Sequence, residues 1–470
     1  MYQVILLIVS VVLLLVLISK ARLHAFLSLL VVSLLLGICA GLPLDEIVTL
    51  VAAGFGGIMQ SIGIVIVCGI IIGQLLEETG GAQKIASSIL RWIGVKRATL
   101  ATAMTGGVLS IPIFCDSGFV IMNPVIKALS KAGNIPYMCL VMALMAGLLT
   151  THALMPPTPG PIAATGILGA DIGVVMLYGL LISIPVILGV YFWCNSNYIR
   201  KKYPELTESD VDHLSLKENG RLDETDAGKL SLQENGRIAG NLSQQENADR
   251  VPSTFMSFLP VLLPITLIVV RSFVVFGAES HAETGWYKLL NFVGTPYIAL
   301  LIGAFAAFLL PAKLTEEVSD GWVTKAIKNS ADILLITGVA GCFGRILQAI
   351  GVGEMLAGAI ANLHLPSVIL PFLISSILLI SQGSTTVAMT TTAAIILPFL
   401  SSLHISPELA VIAIAGGAIT GVFPQGSYFW CVTKLAGYDI KKGYVAVTAT
   451  SFVMGGIALA AILLLSFFVR

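Results

Sequence analysis

Residues 110–119, SIPIFCDSGF, place one aspartate, Asp116, within a long apolar stretch. A charged group in hydrocarbon surroundings is costly, so ionisable residues inside membrane segments are rare and usually have a function. Pro112 and Gly118 lie on either side of this acid, and a proline interrupts a helix because it lacks a backbone N–H. The stretch therefore predicts a broken helical segment at membrane depth that carries a functional carboxyl group.

The composition is that of an integral membrane protein. Of the 470 residues, 56% are hydrophobic and only 11% are charged, whereas soluble domains carry about 25% charged residues. Apolar stretches near the spanning length of about 20 residues recur along the chain, which favours an all-α bundle over the alternating strands of an outer-membrane barrel. The first stretch, 2–19, has neither a basic start nor a small-residue cleavage site, so it is interpreted as a retained span.

Charge and cysteine usage predict neither a nucleic-acid partner nor a cofactor. The net charge is zero, which gives no bulk attraction to nucleic acid. The seven cysteines show no CxxC spacing and lie in or at the end of apolar segments. Buried free thiols are therefore expected, with no disulfide and no metal site.

A charged segment separates two apolar parts of the chain. Residues 195–254 contain 19 of the 52 Asp, Glu, Lys and Arg residues, and LSLKENGR at 214–221 returns there as LSLQENGR at 230–237. Such a polar duplication cannot bury much apolar surface, so it is predicted to be a solvated cytoplasmic linker. The predicted domains are N-terminal transmembrane helices at 1–46, a first transmembrane repeat at 47–194, the linker at 195–254 and a second transmembrane half at 255–470.

The two apolar halves resemble each other in sequence. GQLLEETGGAQKIASSI from Gly73 aligns with GRILQAIGVGEMLAGAI from Gly344 at an offset of 271. MPPTPGPIAATGILGADI from Met155 aligns with FPQGSYFWCVTKLAGYDI from Phe423 at an offset of 268. Two matches in the same order indicate an internal duplication.

Basic flanking residues predict how the halves cross the membrane. Lys and Arg in short loops tend to stay in the cytoplasm. With the basic clusters of this chain inside, the stretches at about 98–131 and 366–404 must each enter and leave on one side. We therefore expect two inverted-topology repeats, each with a re-entrant helical hairpin and a broken helix, which is typical of secondary transporters whose substrate binds near the midplane.

Polar residues at these interruptions are the candidates for chemistry. Asp116 is predicted to couple transport to protons, because a membrane carboxyl group without a basic neighbour in sequence can gain and lose a proton. The second hairpin reads SQGSTTVAMTTT from Ser381, and free backbone N–H groups at a helix start can bind a carboxylate without a full cation. The predicted substrate-binding residues are Ser117, Gly118, Asn123, His152, Pro156, Thr158, Gln382, Gly383, Ser384, Thr385, Thr386, Gln425 and Ser427.

Several of these residues also fit a purely structural role. His152 suits a substrate or proton ligand and equally a buried histidine bonded to a neighbour. Gln425 and Ser427 can bind a polyhydroxy solute or simply form a turn. Arg345 fits either a permanent positive charge for an anionic substrate or an interfacial anchor near a span end, and Arg271 ends a span and fits an anchor.

The chain resembles the gluconate:proton symporter family of bacterial inner-membrane permeases over nearly its full length. The motifs that carry this resemblance are IFCDSGFVIMNP, THALMPPTPGPIAATGILGADIG and QGSTTVAM. The resemblance implies proton-coupled uptake of gluconate or a related hydroxylated monocarboxylate across the inner membrane. It also implies a fold like that of the wider ion transporter superfamily and is compatible with a homodimer.

Two departures from the family pattern leave the cargo open. Asp116 stands where the family pattern has glutamate, and Thr385 stands where alanine is common. A shorter acid and an added hydroxyl reshape a small polar pocket, so glycerate, other sugar acids and D-serine remain open as substrates. Sodium coupling is the alternative to proton coupling, because carbonyl groups freed beside Pro112 and Gly383 can ligate an ion.

Two other classes of function are weaker interpretations. An intramembrane enzyme is disfavoured, since the sequence has no HExxH, no GxSxG and no second aspartate placed for a catalytic dyad. A channel would need rings or rows of polar pore-lining groups. The sequence therefore predicts a carrier.

Overall fold

The computed structural model describes residues 2–94, 97–133, 135–203, 252–277, 284–351, 366–424 and 426–469. Every regular element within these ranges is a helix, which confirms the predicted all-α class. Most of the predicted linker, residues 204–251, and the candidate Gln425 lie outside the described residues. The domain boundaries stay predictions.

The first half of the chain forms ten α-helices within the described residues. Their starts follow local signals: Pro159 opens α8, where its missing N–H costs nothing, and Asp171 caps α9 by accepting a hydrogen bond from the Val174 N–H at 3.0 Å. A π-helical turn, Val16–Lys20, extends α1. The ten helices are α1 Tyr2–Leu15, α2 Ala25–Cys39, α3 Leu44–Glu78, α4 Gly81–Ile93, α5 Ala98–Leu109, α6 Cys115–Gly133, α7 Tyr137–Leu154, α8 Pro159–Leu168, α9 Ile172–Cys194 and α10 Asn197–Lys202.

The second half forms ten further α-helices within the described residues. Short segments of other helix type flank three of them: 317–321 precedes α14, 397–403 follows α16 and 444–449 precedes α20. The ten helices are α11 Thr254–Gly277, α12 Gly285–Val293, α13 Pro296–Ala307, α14 Trp322–Ala349, α15 Ile369–Gln382, α16 Thr385–Ile396, α17 Pro407–Gly417, α18 Ser427–Leu435, α19 Ile440–Gly443 and α20 Thr450–Phe468.

Six helical stretches in the described part of the chain are long and apolar enough to cross a membrane. A seventh results if α12 and α13, which are bent by 66° at their junction, count as one span. The six are Leu44–Glu78, Tyr137–Leu168, Ile172–Lys202, Thr254–Ser272, Glu317–Ala349 and Ile440–Phe468. These lengths confirm the prediction of a multi-pass membrane protein.

Helix α7 lies at the centre of the bundle. Every residue from Tyr137 to Leu154 is buried, and the helix is apolar all round, as expected for one surrounded by protein. Its neighbours include α5 and α9. The approach of α5 is close, because a Cβ atom added at Gly147 would lie 2.0 Å from the carbonyl oxygen of Ala103.

Contacts between helix termini define two ends of the bundle. At one end, Lys325 Nζ of α14 lies 2.7 Å from Glu78 Oε1 of α3, and the hydroxyls of Ser88 and Thr254 are 3.2 Å apart. Thr254 begins α11, so Arg271 in its last two turns lies toward the opposite end. We name these the Lys325 end and the Arg271 end.

The order of helices in the two halves corresponds. The long helices α3 and α14, which carry the aligned GQLL and GRIL segments, pack against each other along much of their length. In the described residues, each half then includes two helices joined at a break, a helix that ends at a second break, a short helix and a long helix, with further short helices among them. This order fits the predicted duplication, whereas inverted topology and re-entry stay predictions.

Candidate functional site

Four of the points at which the described chain leaves helical geometry carry or adjoin the predicted site residues, and a helix begins directly after each. Proline accounts for three of them through Pro112, the Pro156–Pro157 pair and Pro424, since proline cannot donate a backbone hydrogen bond. Gly383 accounts for the other, with a φ of +72° that a side chain would disfavour. We name them break 1 (110–114, before α6), break 2 (155–158, before α8), break 3 (383–384, before α16) and break 4 (418–424 and Gly426, before α18).

Breaks 1 and 2 lie together against α3. A Cβ atom added at Gly73 would lie 2.2 Å from the carbonyl oxygen of Pro112, and one added at Gly69 would lie 3.1 Å from that of Pro157. The backbone of α3 reaches both breaks because these two positions lack side chains. A small cavity lies between the breaks, lined by Gly69, Ile70, Ile111, Pro112, Ile113, Phe114, His152, Pro157, Thr158 and Pro159.

Breaks 3 and 4 also lie together, and the start of α8 joins them to break 2. A Cβ atom added at Gly426 in break 4 would lie 2.6 Å from the carbonyl oxygen of Gly383 in break 3. A Cβ atom added at Gly160 in the first turn of α8 would lie 3.6 Å from Cα of Thr386. Direct contacts thus link the four breaks around one interior region.

Asp116 lies in the first turn of α6, immediately after break 1, and is half-buried. Cys431 of α18 lies beside it: the Cys431 thiol is 3.7 Å from the Asp116 carbonyl oxygen and also contacts the carboxyl group. Within the described residues Asp116 has no ion pair with a lysine or arginine. Its carboxyl group is therefore neither fully solvated nor held by a fixed cation.

Two buried polar side chains near the breaks have unpartnered atoms within the described part of the chain. His152 is 6% exposed, lines the cavity between breaks 1 and 2, and has no partner for Nδ1. Gln382, directly before break 3, has no partner for either Oε1 or Nε2, both of which are buried. A buried polar atom without a partner is costly, so these atoms are candidate ligands for a solute.

Three other predicted residues form hydrogen bonds within the protein. The Asn123 amide donates from Nδ2 to the Leu435 carbonyl (2.9 Å) and accepts at Oδ1 from the Tyr137 hydroxyl (2.6 Å), which ties α6 to α7 and α18. The Thr158 hydroxyl donates to the Met155 carbonyl. Ser384 caps α16 by accepting at Oγ from the Val387 N–H at 3.4 Å. Contact of these three residues with substrate stays a prediction.

The remaining predicted residues are spread over the same breaks. Thr385 and Thr386 are half-buried in the first turn of α16, and Pro156 is buried in break 2, whereas Ser427 is exposed at the start of α18. Gly118 packs closely on α7, since a Cβ atom there would lie 2.5 Å from Leu148 Cδ2. Ser117, Gly118, Pro156, Gly383, Thr385, Thr386 and Ser427 all stay predictions as substrate contacts.

Two residues at the site were not predicted from the sequence. Glu77, half-buried in the last turn of α3, has its carboxyl group against the hydroxyl of Ser117. Its spacing of four residues from Gly73 puts both on one face of α3, which is a signal that sequence reasoning could have used. Cys431 carried no such signal, since its position beside Asp116 depends on how α18 packs.

At the Arg271 end, an ionic network joins α9, α11 and α17. Arg271 Nη1 lies 3.6 Å from Asp171 Oδ2, and Asp171 Oδ1 accepts from the Ser272 hydroxyl at 3.0 Å. The Asp171 N–H donates to Glu408 Oε1 at 3.0 Å. Arg271 also donates from Nε to Asn291 Oδ1 at 2.9 Å, so it has partners within the protein beyond the predicted role of an anchor.

Known proteins similar to this chain are transporters. The family described as GntP family permease matches residues 2–468. An inner membrane permease, YgbN, of Escherichia coli K12 is 31% identical and covers 95% of this chain and 94% of its own length. The D-serine transporter DsdX of Escherichia coli O6:H1 is 30% identical with 98% of each chain covered, and a gluconate permease of Pseudomonas aeruginosa is 27% identical with 97% and 96% covered.

The same architecture occurs in a solved transporter structure. The chain matches Neisseria gonorrhoeae MtrF, described as illuminating a class of antimetabolite efflux pumps, with a TM-score of 0.66 over 97% of each chain. The two sequences are only 15% identical, so this likeness concerns the fold alone. Together, the matches confirm the predicted family resemblance and a transporter fold.

Proposed function

Because the chain belongs to the GntP family of permeases, we propose that it is a proton-coupled symporter for a small hydroxylated monocarboxylate, with gluconate as the first candidate. Relatives that match nearly the full chain are named permeases and transporters. The chain is therefore a multi-pass transporter of the inner membrane and not an enzyme.

The observation that carries this proposal is the meeting of four helix starts at breaks 1 to 4. The first N–H groups of a helix have no partner within the helix and carry partial positive charge. Helix starts grouped around one interior region favour a carboxylate there without a lysine or arginine. Consistent with this, the residues lining the cavity between breaks 1 and 2 include no Lys or Arg.

Hydroxyl groups of the solute have matching partners at the same breaks. The unpartnered amide of Gln382 offers one acceptor and two donors, and the unpartnered Nδ1 of His152 offers one donor or acceptor according to its tautomer. Thr385 and Thr386 add hydroxyls in the first turn of α16. This set supports a solute with a carboxylate at one end and hydroxyls along its length.

Asp116 is proposed to take up the coupling proton. An ionised Asp116 next to break 1 repels a carboxylate bound at the neighbouring helix starts, and a protonated Asp116 does not. Binding of the anion and binding of the proton therefore favour each other, and this reciprocal coupling is what a symporter requires. The absence of a fixed cation beside Asp116 in the described residues supports a group free to change its charge.

The short helices at the breaks support the proposed re-entrant hairpins. Helices α5, α15 and α16 have 12, 14 and 12 residues, which at about 1.5 Å per residue is too short for a hydrocarbon core of about 30 Å. Arg97 precedes α5 and Lys127 and Lys131 lie in α6, so basic residues flank both sides of the first hairpin. We assign the Lys325 end to the cytoplasm by the positive-inside rule.

D-serine is the second candidate cargo. It also has a carboxylate and a hydroxyl, and a relative named for its transport is 30% identical over 98% of this chain. D-serine differs from gluconate by its ammonium group, which needs an anion as its partner. Helix starts carry partial positive charge, so an ionised Asp116 would have to be that partner. A D-serine carrier would therefore use Asp116 as a substrate ligand as well as a proton carrier.

Uptake by purified protein in proteoliposomes tests the proposal. Radiolabelled gluconate, glycerate and D-serine are offered with an inward proton gradient, with and without sodium at fixed pH. We expect the wild type to accumulate one hydroxy acid when the proton gradient is imposed and regardless of sodium. Asp116→Asn is expected to abolish accumulation, because its side chain cannot exchange a proton.

The matched control is Asp45→Asn, which removes an exposed acid from the first turn of α3. This variant should accumulate substrate like the wild type. Gradient-driven accumulation that survives Asp116→Asn would show that the coupling assignment is wrong. Accumulation that requires sodium and ignores the proton gradient would show that the coupling ion is sodium.

A further inference from the structure

Helix α3 packs alongside the first hairpin, from break 1 to the first turn of α6. Gly73 meets the backbone of Pro112 in break 1, and one turn later the carboxyl group of Glu77 meets the hydroxyl of Ser117. Ser117 is the neighbour of Asp116 in the chain. A second carboxyl group is therefore held beside the segment that carries Asp116.

Next to Glu77 in the chain, a series of polar side chains extends to the surface at the Lys325 end. Gln74, only 6% exposed, donates from Nε2 to Glu78 Oε1 at 2.8 Å. Asn329 of α14 donates from Nδ2 to Gln74 Oε1 at 3.4 Å. Lys325, whose side chain is 58% exposed, completes the series with its 2.7 Å contact to Glu78. Such a series within a mainly apolar helix pair can support water and proton movement.

The second half of the chain has no counterpart of this acid. The offset of 271 places Gln348 at the position of Glu77 and Arg345 at the position of Gln74. Gly383 in break 3 is followed by Ser384, Thr385 and Thr386, with no carboxyl group. The two carboxyl groups, Glu77 and Asp116, therefore occur together in the half whose break we assign to the proton.

We propose that Glu77 is a second coupling residue, which accepts the proton released by Asp116 and passes it to water at the Lys325 end. In this step the Asp116 carboxylic acid loses its proton and becomes a carboxylate, and the Glu77 carboxylate gains a proton and becomes the acid. Glu77 then releases the proton to solvent, so both groups end the cycle ready for another. This role depends on the proton symport proposed above.

Within the described ranges, the groups that interact with the Glu77 carboxyl group come from three helices. Lys325 of α14 and Glu78 of α3 are the charged ones, and Ser117 of α6 is the neutral one. Lys325 and Glu78 are paired with each other, so their charges largely cancel at Glu77. The proton content of Glu77 is thus free to respond to the state of the hairpin.

Two transport modes of the same proteoliposomes separate coupling from folding. The first is exchange of radiolabelled gluconate across the membrane at equal pH on both sides. The second is accumulation of gluconate driven by an inward proton gradient, with trapped pyranine reporting substrate-dependent proton entry. We expect Glu77→Gln to keep exchange while losing both accumulation and proton entry, because an amide cannot carry the proton. Retained exchange demonstrates that the variant folds and binds.

Two control variants test the alternatives. Glu46→Gln removes an exposed acid from the first turn of α3 and should keep all three readouts, because it lies at the opposite end of this helix from Glu77. Ser117→Ala removes the hydroxyl that contacts Glu77 but leaves the carboxyl group, so the number of protons that enter per gluconate taken up should match the wild type, whatever the rate of uptake. If Ser117→Ala behaves like Glu77→Gln, the carboxyl group only positions the hairpin and the inference is overturned.

Failure of this inference differs from failure of the proposed function. If Asp116→Asn abolishes proton entry while Glu77→Gln retains it with the wild-type pH profile, the symport stands and the second coupling residue does not. If wild-type protein shows no substrate-dependent proton entry, the symport itself fails. If Glu77→Gln also loses exchange, Glu77→Asp decides: exchange together with proton entry in Glu77→Asp supports the inference, whereas exchange without proton entry, or loss of both, overturns it.

Discussion

The two halves of the molecule carry the same order of helix breaks but different chemistry at them. In the first half, Asp116 follows break 1, and Glu77 in the last turn of α3 contacts the neighbouring Ser117. In the second half, Gln382 precedes break 3 and Gln348 occupies the position equivalent to Glu77. Corresponding breaks thus supply helix starts in both halves, while a carboxyl group directly follows a break only in the first half. We infer that the first half handles the proton and the second half holds the hydroxyls of the solute.

The long helices also approach the two hairpins differently. A Cβ atom at Gly73 would lie 2.2 Å from the Pro112 carbonyl oxygen, deep inside contact distance. At the equivalent Gly344, a Cβ atom would lie 3.3 Å from Leu397 Cδ2, the end of a side chain that can move aside. At Gly73, the first hairpin therefore packs against α3 through a backbone atom. At Gly344, the atom nearest to α14 belongs to a side chain that can change conformation.

Among substitutions that compare the two halves, the largest effect is expected at Gln382, directly before break 3. Gln382→Leu removes both unpartnered amide atoms, so a hydrogen bond to a charged or strongly polar solute, worth about 1.5–3 kcal/mol, is lost. We expect the apparent affinity for gluconate in exchange assays to fall about 10- to 100-fold. Gln348→Leu, at an exposed position on α14, is the control and should leave affinity unchanged. An unchanged affinity in Gln382→Leu would remove this residue from the site.

An intermediate effect is expected from added bulk beneath the first hairpin. Gly73→Ala forces the Pro112 backbone away from α3, and overpacking of this kind costs about 1–3 kcal/mol. Thermal unfolding in detergent should show a clear decrease in the unfolding temperature and in uptake. Gly344→Ala adds the same methyl group at the equivalent position and should have a much smaller effect. Equal effects at the two positions would contradict the difference between the halves.

The smallest effect is expected at the Arg271 end. Arg271 and Asp171 are partly exposed, with side-chain exposures of 24% and 35%, and exposed ion pairs contribute only about 0.2–1 kcal/mol. Arg271→Gln should therefore decrease the unfolding temperature only slightly. Asp171→Ala should have the greater effect, because it also removes the cap of α9 and the acceptor of the Ser272 hydroxyl. The reverse order would show that the arginine makes contacts beyond those described.

Much of the architecture followed from local properties of the sequence. The apolar stretches predicted spans, and Pro112, Pro156, Pro157 and Gly383 predicted where helices break, because each acts on its own backbone. The alignment of the GQLL and GRIL segments likewise anticipated the pair of long helices that pack together. These features need no knowledge of which segments meet.

Which residues form the site was less predictable from the sequence. Asn123 was expected at the substrate, yet its amide is bonded to Tyr137 and Leu435 and joins three helices. Glu77 was missed because its role depends on which turn of α3 faces α6. Gln382 and His152 were predicted from their place in the sequence, but their unpartnered atoms were visible only after the helices were packed.

By itself, the sequence determined an all-helical membrane transporter with a duplicated order of breaks, because hydropathy and the backbone chemistry of proline and glycine act over a few residues. The tertiary structure alone decided that four helix starts meet and that Cys431 lies beside Asp116, 315 residues away in the chain. Such pairings depend on the close approach of small residues on separate helices, and no local pattern specifies which helices approach.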